Sequence, residues 1–191
     1  MVKRLIIGIT GASGVIYGIR ALEMLKHLEI ESHLILSSAA KVTIAHETEW
    51  RVSDVEALAS VRHDYRDLGA SIASGSFETM GMLVAPCSVK TLSAIANSYS
   101  SDLLPRAADV CMKEGRPVVL MFREAPLHKG HIKLMLEAAD AGAILFPPAP
   151  VFYGKPQTID DLVNGTVGRA LARLGVDNEA YHRWKGMAAE E

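Results

Sequence analysis

Short apolar runs alternate with longer stretches of helical spacing along most of the chain. Apolar runs predict five strands, at residues 4–10, 33–36, 81–85, 117–122 and 143–146. The fourth run contains no polar residue, which is typical of a strand buried on both faces. The pattern therefore predicts a sheet in the interior of the molecule.

Apolar positions repeated every three or four residues predict helices between these strands. The clearest example covers residues 15–28. A short helix is predicted to start at a capping box formed by Ser53 and Glu56. Further helices are predicted at residues 39–47, 88–97, 105–114, 131–141 and 158–174.

Strands that alternate with helices imply a mainly parallel sheet covered by helices on both faces. We see no repeat and no linker, so residues 1–191 are predicted to form one α/β domain, with a polar and mobile tail from about residue 176. In sheets of this class, ligands bind at the carboxyl ends of the strands. The loops that follow the strands are therefore the candidate site segments.

Composition and charge narrow the function classes. The chain has 191 residues, 49% of them hydrophobic, and a formal net charge of −2, which argues against a nucleic-acid partner. The apolar run after Lys3 and Arg4 breaks at Gly8, so it predicts a strand and not a signal peptide, and we find no run long enough to cross a bilayer. Two cysteines are too few for a disulfide scaffold and suggest a reducing cytoplasm.

The first strand leads into the glycine-rich loop Thr10-Gly11-Ala12-Ser13-Gly14. Its glycines permit a tight turn and a close approach of ligand to backbone, and the following helix start favours an anion. A loop that merely contains a serine cap explains the same residues equally well. The full dinucleotide fingerprint is absent.

Serines also follow the second and third strands. Ser37 and Ser38 come after the second strand, where capping of the next helix is the simpler interpretation. Ser88 and Thr91 lie in the first turn of the helix after the third strand, and two hydroxyls with free N–H groups suit a phosphate. Cys87 has no base paired with it by any motif, so a buried core residue is expected there.

Charged residues follow the apolar fourth strand. Arg123 can clamp a phosphate with two contacts, and Glu124 in an apolar cleft can act as a general acid or base. An ion pair between Arg123 and Glu124 at the strand end is an equally simple alternative. Arg106, Asp109 and Lys113 share one helical face, for which an exposed salt-bridged surface is the simpler interpretation.

Other candidates are weaker when taken alone. Tyr153 can hydrogen-bond a phosphate, whereas a surface cation near a helix end is the ordinary interpretation of Arg169. His128 and His131 have a spacing seen in metal ligands, but the sequence offers no other ligand, so no metal site is predicted.

Taken together and in order, these segments resemble the UbiX-like flavin prenyltransferases, a family that includes the small B subunits of phenolic-acid decarboxylase systems. The resemblance rests on Thr10-Gly11-Ala12-Ser13-Gly14, Pro86-Cys87-Ser88, Arg106-Ala107-Ala108-Asp109-Val110 with Lys113-Glu114, Arg123-Glu124-Ala125-Pro126, and Phe152-Tyr153 with Pro156-Gln157. It extends from the first strand to about Trp184.

The resemblance implies a flavodoxin-like or Rossmann-like three-layer fold that binds FMN and assembles as a homododecamer. It implies transfer of a dimethylallyl group from dimethylallyl phosphate to N5 and C6 of reduced FMN, without a metal. The product would serve a UbiD-type decarboxylase.

The resemblance also assigns roles to residues of this sequence. Glu124 and Ser13 would handle protons. Dimethylallyl phosphate would be held by Arg106, Lys113, Arg123, Tyr153 and Arg169. FMN would be held by Gly11, Ala12, Ser13, Ser37, Ser88, Val89, Lys90, Thr91 and Arg123.

The sequence departs from the family pattern at three places. Leu68 stands where many members have an aromatic residue, Phe122 replaces a frequent proline, and the helix after it reads His131-Ile132-Lys133-Leu134-Met135. These changes alter the lining of the pocket, and they leave open a diphosphate donor, a branch that serves an aromatic-acid decarboxylase, or a paralogue without activity. Two competing functions also remain: an FMN-dependent decarboxylase acting on its own substrate, and a non-catalytic FMN carrier.

Overall fold

The sheet has six strands in the computed structural model, which describes residues 3–184 and 186. The strands are β1 (Arg4–Ile9), β2 (Glu31–Leu36), β3 (Val61–His63), β4 (Met82–Cys87), β5 (Val118–Phe122) and β6 (Ile144–Leu145). All neighbouring pairs are parallel, in the order β3-β2-β1-β4-β5-β6. This is the order of doubly wound nucleotide-binding sheets, and it reverses between β1 and β4.

Helices cover both faces of the sheet. They are α1 (Ile16–His27), α2 (Ser38–Glu47), α3 (Val52–Glu56), α4 (Val89–Ala96), α5 (Leu103–Lys113), α6 (Lys129–Asp140) and α7 (Ile159–Ala172). One buried cluster joins α1, α2 and α7 to the sheet, and a second joins α4, α5 and α6 to its other face. The predicted three-layer α/β fold is confirmed. None of the described helices is long and apolar enough to span a membrane.

Two elements were not predicted, and one local prediction was wrong. No apolar run marks β3, which reads Val-Arg-His, or the 3₁₀ turn Ser71–Ala73. The short helix α3 is not capped by Ser53, because Arg51 occupies its N-cap position without a side-chain hydrogen bond. By contrast, the last helix does begin with a capping box between Thr158 and Asp161.

The polar tail packs on the domain as far as it is described. Val176 is buried in the core, and the Asn178 amide donates a 3.0 Å hydrogen bond to the carbonyl oxygen of Gly168 in α7. Residue 185 and residues 187–191 of the predicted tail lie outside the described residues.

Candidate active site

One buried hydroxyl joins the carboxyl ends of β1 and β4, at the point where the strand order reverses. Thr10 Oγ1 donates a 2.7 Å hydrogen bond to the Pro86 carbonyl oxygen and accepts a 2.9 Å bond from the Ser88 N–H. Thr10 is only 2% exposed. The glycine-rich loop and the Ser88 loop are therefore held together as one crevice edge, as the topology predicted.

The glycine-rich loop lies directly against the start of α2. A Cβ atom on Gly11 would be 2.3 Å from the Cβ of Ala39, so only glycine allows this approach. Gly14 has a φ of +96°, which also favours glycine. Ala12 and Ser13 lie between these two glycines, at the crevice edge.

A carboxylate from the far end of α2 occupies the start of α1. Glu47 Oε2 accepts a 2.8 Å hydrogen bond from the N–H of Gly14. Partial burial raises the pKa of Glu47, but hydrogen bonds from Ser13, Gly14 and Val15 and the nearby Arg123 charge outweigh burial and hold the pKa below its ordinary value. The anion expected at this helix start is thus a side chain of the protein itself.

The start of α4 remains available for a phosphate. Ser88 caps the helix by accepting from the Thr91 N–H at 3.4 Å, and its hydroxyl donates to Thr91 Oγ1 at 3.2 Å. The N–H groups of Val89 and Lys90 in the first turn have no partner within the helix. The structure therefore places together the two hydroxyls and the first-turn N–H groups of the predicted phosphate cradle.

Ser37 has the capping role that its position suggested. Its side chain accepts a 3.1 Å bond from the Ala40 N–H, and its own N–H donates to the Ile9 carbonyl at 3.1 Å. The cap places the Ser37 hydroxyl at the carboxyl edge, on the α2 start that Gly11 contacts. Ser37 therefore remains a candidate flavin contact beside its structural role.

Arg123 and Glu124 come directly after β5 at the same edge. The Arg123 N–H donates to the Cys87 carbonyl at 3.1 Å, and Glu124 Oε1 accepts a 2.9 Å bond from the N–H of Ala125. The Arg123 guanidinium is near enough to Glu47 to lower the pKa of that carboxyl. Burial raises the pKa of the Cys87 thiol, which fits the expected core residue and not a nucleophile.

Lys113 does not reach this crevice within one chain. Helix α5 starts at the carboxyl edge, where the Leu103 N–H bonds to the Tyr65 carbonyl oxygen, and it runs toward the opposite edge. Lys113 ends that helix and pairs with Glu114, about 15 Å further along the axis. Arg106 lies nearer the start and pairs with Asp109 at 3.2 Å.

Tyr153 and Arg169 are also separate from the crevice. The Tyr153 hydroxyl donates a 3.3 Å bond to the His182 carbonyl oxygen in the tail. Arg169 is exposed in the last turn of α7, a helix that leaves the carboxyl edge at Ile159. The structure thus brings together the residues predicted to hold FMN. Most residues predicted to hold dimethylallyl phosphate lie away from them in the same chain.

Sequence reasoning missed Glu47 as a functional residue and did not assign a role to the Thr10 side chain. A signal for Glu47 exists, because a carboxylate at the C-terminal end of a helix is unfavourable unless another contact stabilises it. For Thr10 the sequence shows only the loop motif, and its bridging bonds depend on the pairing of β1 with β4.

A cavity of about 630 Å³ lies away from this edge, between α1, α7 and residues 151–156. Its best-placed cation, Arg20, is already bonded to Glu23 and Asp160 at 2.8 and 2.9 Å. The strand-end crevice is the better candidate for chemistry, since hydroxyls, a cation and a carboxylate from three strand ends converge there. Among the described residues, no group of three or more His, Cys, Asp or Glu side chains is arranged to hold a metal ion.

Known proteins similar to this chain share its full length. The Flavoprotein family model matches residues 2–171. The flavin prenyltransferase UbiX of Thauera aromatica is 52% identical over 188 residues, which cover 98% of this chain and 97% of the relative. The enzyme of the same name from Escherichia coli strain K12 is 52% identical over 187 residues, with 96% and 99% coverage.

Solved structures agree with the sequence relatives. AnUbiX (PadA1), in complex with FMN and dimethylallyl pyrophosphate, superposes with a TM-score of 0.95 at 44% identity and covers 97% of this chain and 99% of that chain. A dodecameric FMN-dependent UbiX-like decarboxylase from Escherichia coli O157:H7 gives a TM-score of 0.92 at 44% identity, covering 96% and 100%. The chain belongs to the Flavoprotein family and, within it, to the UbiX-like flavin prenyltransferases.

Proposed function

We propose that this protein transfers a dimethylallyl group from dimethylallyl phosphate to N5 and C6 of reduced FMN. The observation that carries the proposal is the convergence of Ser13, Ser88, Arg123 and Glu124 at one strand-end crevice in a chain of this family. Reduced FMN supplies the nucleophilic positions when bound. Every other requirement falls on the side chains of the protein.

The residues present fit FMN. Gly11 lets the loop pack directly against Ala39 at the start of α2, which brings the backbone of Ala12 and Ser13 next to Ser37. The α4 start supplies Ser88, Thr91 and the N–H groups of residues 89 and 90 for the flavin phosphate. Ser37 and Arg123 complete the set from the neighbouring strand ends.

The leaving phosphate needs several positive charges, because negative charge builds on it as the allylic C–O bond breaks. Arg123 is present at the crevice. Lys113 and Arg169 lie toward the opposite edge of the sheet in the same chain. We therefore infer that neighbouring copies contribute Arg106, Lys113, Tyr153 and Arg169, and that a single chain forms only half of a site.

Proton transfer falls to one carboxylate and one hydroxyl. Glu124 accepts the proton whose loss from C6 restores aromaticity. Ser13 would contact the flavin from the glycine-rich loop, and its side chain is hydrogen-bonded to Glu47. The Glu47 contact fixes the direction in which the Ser13 hydroxyl donates, so Glu47 positions Ser13.

A surface for self-assembly supports the homo-oligomer. Helix α6 exposes Ile132 at 56% and Leu136 at 60%, and nearby Leu127 is 44% exposed. Only Ala138 of this helix is buried in the chain. An apolar face of this kind fits contact with another copy, and a related structure is dodecameric. We propose a homododecamer.

The product would pass to a UbiD-type decarboxylase in the cytoplasm. Prenylated flavin has no further use in the crevice that makes it, so a separate enzyme must consume it. Both cysteines, Cys87 and Cys111, are free and buried, which fits a reducing compartment.

The test is mass spectrometry of the released flavin after anaerobic incubation with reduced FMN and dimethylallyl phosphate. A gain of one dimethylallyl unit, absent without protein, supports the proposal. If the flavin stays unmodified with both dimethylallyl phosphate and dimethylallyl diphosphate, the proposal is overturned in favour of a non-catalytic FMN carrier. Release of carbon dioxide from a candidate acid by the protein alone would favour a direct decarboxylase.

A further inference from the structure

A second cavity lies at the carboxyl ends of β2 and β3, next to the flavin crevice. Its volume is about 310 Å³. The polar side chains that line it are Lys41, Glu56, Arg62, His63, Asp64, Tyr65 and Arg66. None of them belongs to the flavin or prenyl-phosphate sets described above.

The cavity carries more positive than negative charge. Glu56 is shared by two cations, at 3.1 Å from Lys41 and 2.8 Å from Arg62. Arg66 Nε donates to the neutral phenol of Tyr65 at 3.0 Å, and Asp64 accepts from the backbone N–H of Arg66. Three cations thus face two carboxylates, and the excess charge favours an anionic ligand.

A hydrogen-bonded relay through the buried side chain of His33 ends at His63, on the wall of this cavity. Glu31 Oε1 is 2.6 Å from His33 Nε2, and His33 Nδ1 is 2.9 Å from His63 Nε2. The His33 hydrogen bond is the main cause that holds the pKa of Glu31 below its ordinary value, so an ionised Glu31 accepts and His33 Nε2 donates. His33 Nδ1 then accepts from His63 Nε2, which leaves His63 Nδ1 to take up a proton.

The relay allows His63 to respond to an anion. Burial, followed by the charge of His33, lowers the pKa of His63, and Asp67 partly opposes this. His63 is therefore neutral in the absence of a ligand near neutral pH. An anion in the cavity would favour proton uptake at His63 Nδ1. The added positive charge would be balanced by Glu31 through His33. Arg4, 3.3 Å from Glu31, is the cation at the far end of the relay.

The position of the cavity indicates the class of anion. In doubly wound sheets the end of β2 binds one half of a dinucleotide, and an arginine there accommodates a phosphate where an acid would bind a ribose diol. Here β2 ends at Leu36 and continues into Ser37 and Ser38 without an acid. The Tyr65 hydroxyl is hydrogen-bonded to Ser38, which places the cavity beside the proposed flavin contact Ser37.

We propose that this cavity binds the phosphate group of an adenine nucleotide beside the flavin. Arg62, Arg66 and Lys41 contact the phosphate, and His63 becomes a fourth donor on binding. The ligand is either the adenylate half of a larger flavin nucleotide or the 2′-phosphate of a pyridine nucleotide that reduces FMN. The site does not depend on prenyl transfer, so either proposal can fail without the other.

The test is isothermal titration of the FMN-loaded protein with 5′-AMP, adenosine 2′,5′-bisphosphate and inorganic phosphate. We expect an adenosine phosphate to bind once per chain, and the double variant Arg62→Gln/Arg66→Gln to weaken binding about tenfold or more. FMN affinity should stay unchanged, which shows that the variant is folded. The control Arg51→Gln removes a surface cation that pairs with Asp54 outside the cavity and should have no effect.

Comparing the three titrants distinguishes a flavin nucleotide from a pyridine nucleotide. Tighter binding of 5′-AMP points to a flavin nucleotide, and tighter binding of the 2′,5′-bisphosphate points to a pyridine nucleotide. His63→Gln should remove the strengthening of binding at lower pH. Absence of binding by both nucleotides, equal binding of inorganic phosphate, or equal loss in Arg51→Gln would overturn the proposal.

Discussion

The Glu47 carboxylate accepts a 2.8 Å hydrogen bond from the N–H of Gly14, although 33 residues separate them in the chain. The bond joins the end of α2 to the glycine-rich loop, and Arg123 faces the same carboxylate. Glu47 therefore holds together two parts of the crevice that the sequence presents as unrelated motifs. This relationship explains why a negative charge is tolerated at the end of α2.

Glu47→Gln should loosen the glycine-rich loop. The amide keeps the shape of the side chain but loses the charge that strengthens the bonds from Ser13 and Gly14. We expect FMN affinity to fall about three- to tenfold, measured by flavin fluorescence titration. Glu49→Gln, two residues further along the chain and also exposed, is the matched control. An equal loss in both variants would contradict the assigned role.

The contribution of Glu47 to stability should depend on pH in a defined direction. Its pKa in the folded protein lies below the ordinary value of 4.5. The stabilisation is therefore fully present above about pH 4.5 and is lost as the pH falls through the folded pKa. The difference in free energy of unfolding between wild type and Glu47→Gln should shrink between pH 6 and pH 3 in urea titrations. A difference that stays constant over that range would count against an ionised Glu47.

Two glycines should respond to alanine with opposite signs. Gly11→Ala places a Cβ atom 2.3 Å from the Ala39 Cβ, so we expect a loss of about 1–3 kcal/mol in the free energy of unfolding, with weaker FMN binding. Gly165 lies inside α7 with its nearest contact at 4.0 Å, so Gly165→Ala should gain about 0.5–1 kcal/mol. Urea denaturation measures both, and a neutral Gly11→Ala would contradict the close approach.

Thr10→Val should separate the two crevice loops. The valine side chain can neither accept the hydrogen bond from the Ser88 N–H nor donate one to the Pro86 carbonyl. Both backbone groups therefore lose their hydrogen-bond partner at a buried position. We expect a loss of about 1–3 kcal/mol in the free energy of unfolding, together with weaker FMN binding. Thr166→Val in α7 removes a hydroxyl that donates to the Leu162 carbonyl of its own helix, away from the crevice loops, and it should cost only about 0.5 kcal/mol. Similar costs for the two variants would show that the Thr10 bridge contributes little.

The fold was predictable wherever burial leaves an apolar pattern. The interior strands β1, β4 and β5 are apolar because helices cover both their faces, and each was predicted within a few residues. Strand β3 lies at the edge of the sheet, where Val61 and Arg62 are exposed, so no apolar run marks it. Its only signal is pairing with β2, which is a tertiary contact.

The candidate site was predictable where it follows strand ends and not elsewhere. Ser13, Ser88 and Arg123 follow strands whose carboxyl ends must meet, so topology alone brings them together. Glu47 comes from the end of a helix, and the sequence does not show which loop that end contacts. Lys113 was assigned from the family resemblance, and the structure adds that its own chain cannot bring it to the crevice.

The most direct test of a shared prenyltransferase site is complementation between two inactive variants. Glu124→Gln impairs the flavin half of a site, and Lys113→Ala impairs the half that holds the prenyl phosphate. Each variant alone should bind FMN but form little prenylated flavin. Mixed oligomers, co-expressed with two affinity tags, should regain about a quarter of the wild-type rate, since random assembly leaves that fraction of sites intact.

A mixture of Glu124→Gln with Arg123→Ala serves as the control, because both residues belong to the same half and no intact site can form. The measurement is the yield of flavin heavier by one dimethylallyl unit, read by mass spectrometry after anaerobic incubation. Recovery in the first mixture and none in the control is the predicted result. Mixed oligomers of Glu124→Gln and Lys113→Ala that stay as inactive as their parents would contradict a site built from two copies of the chain.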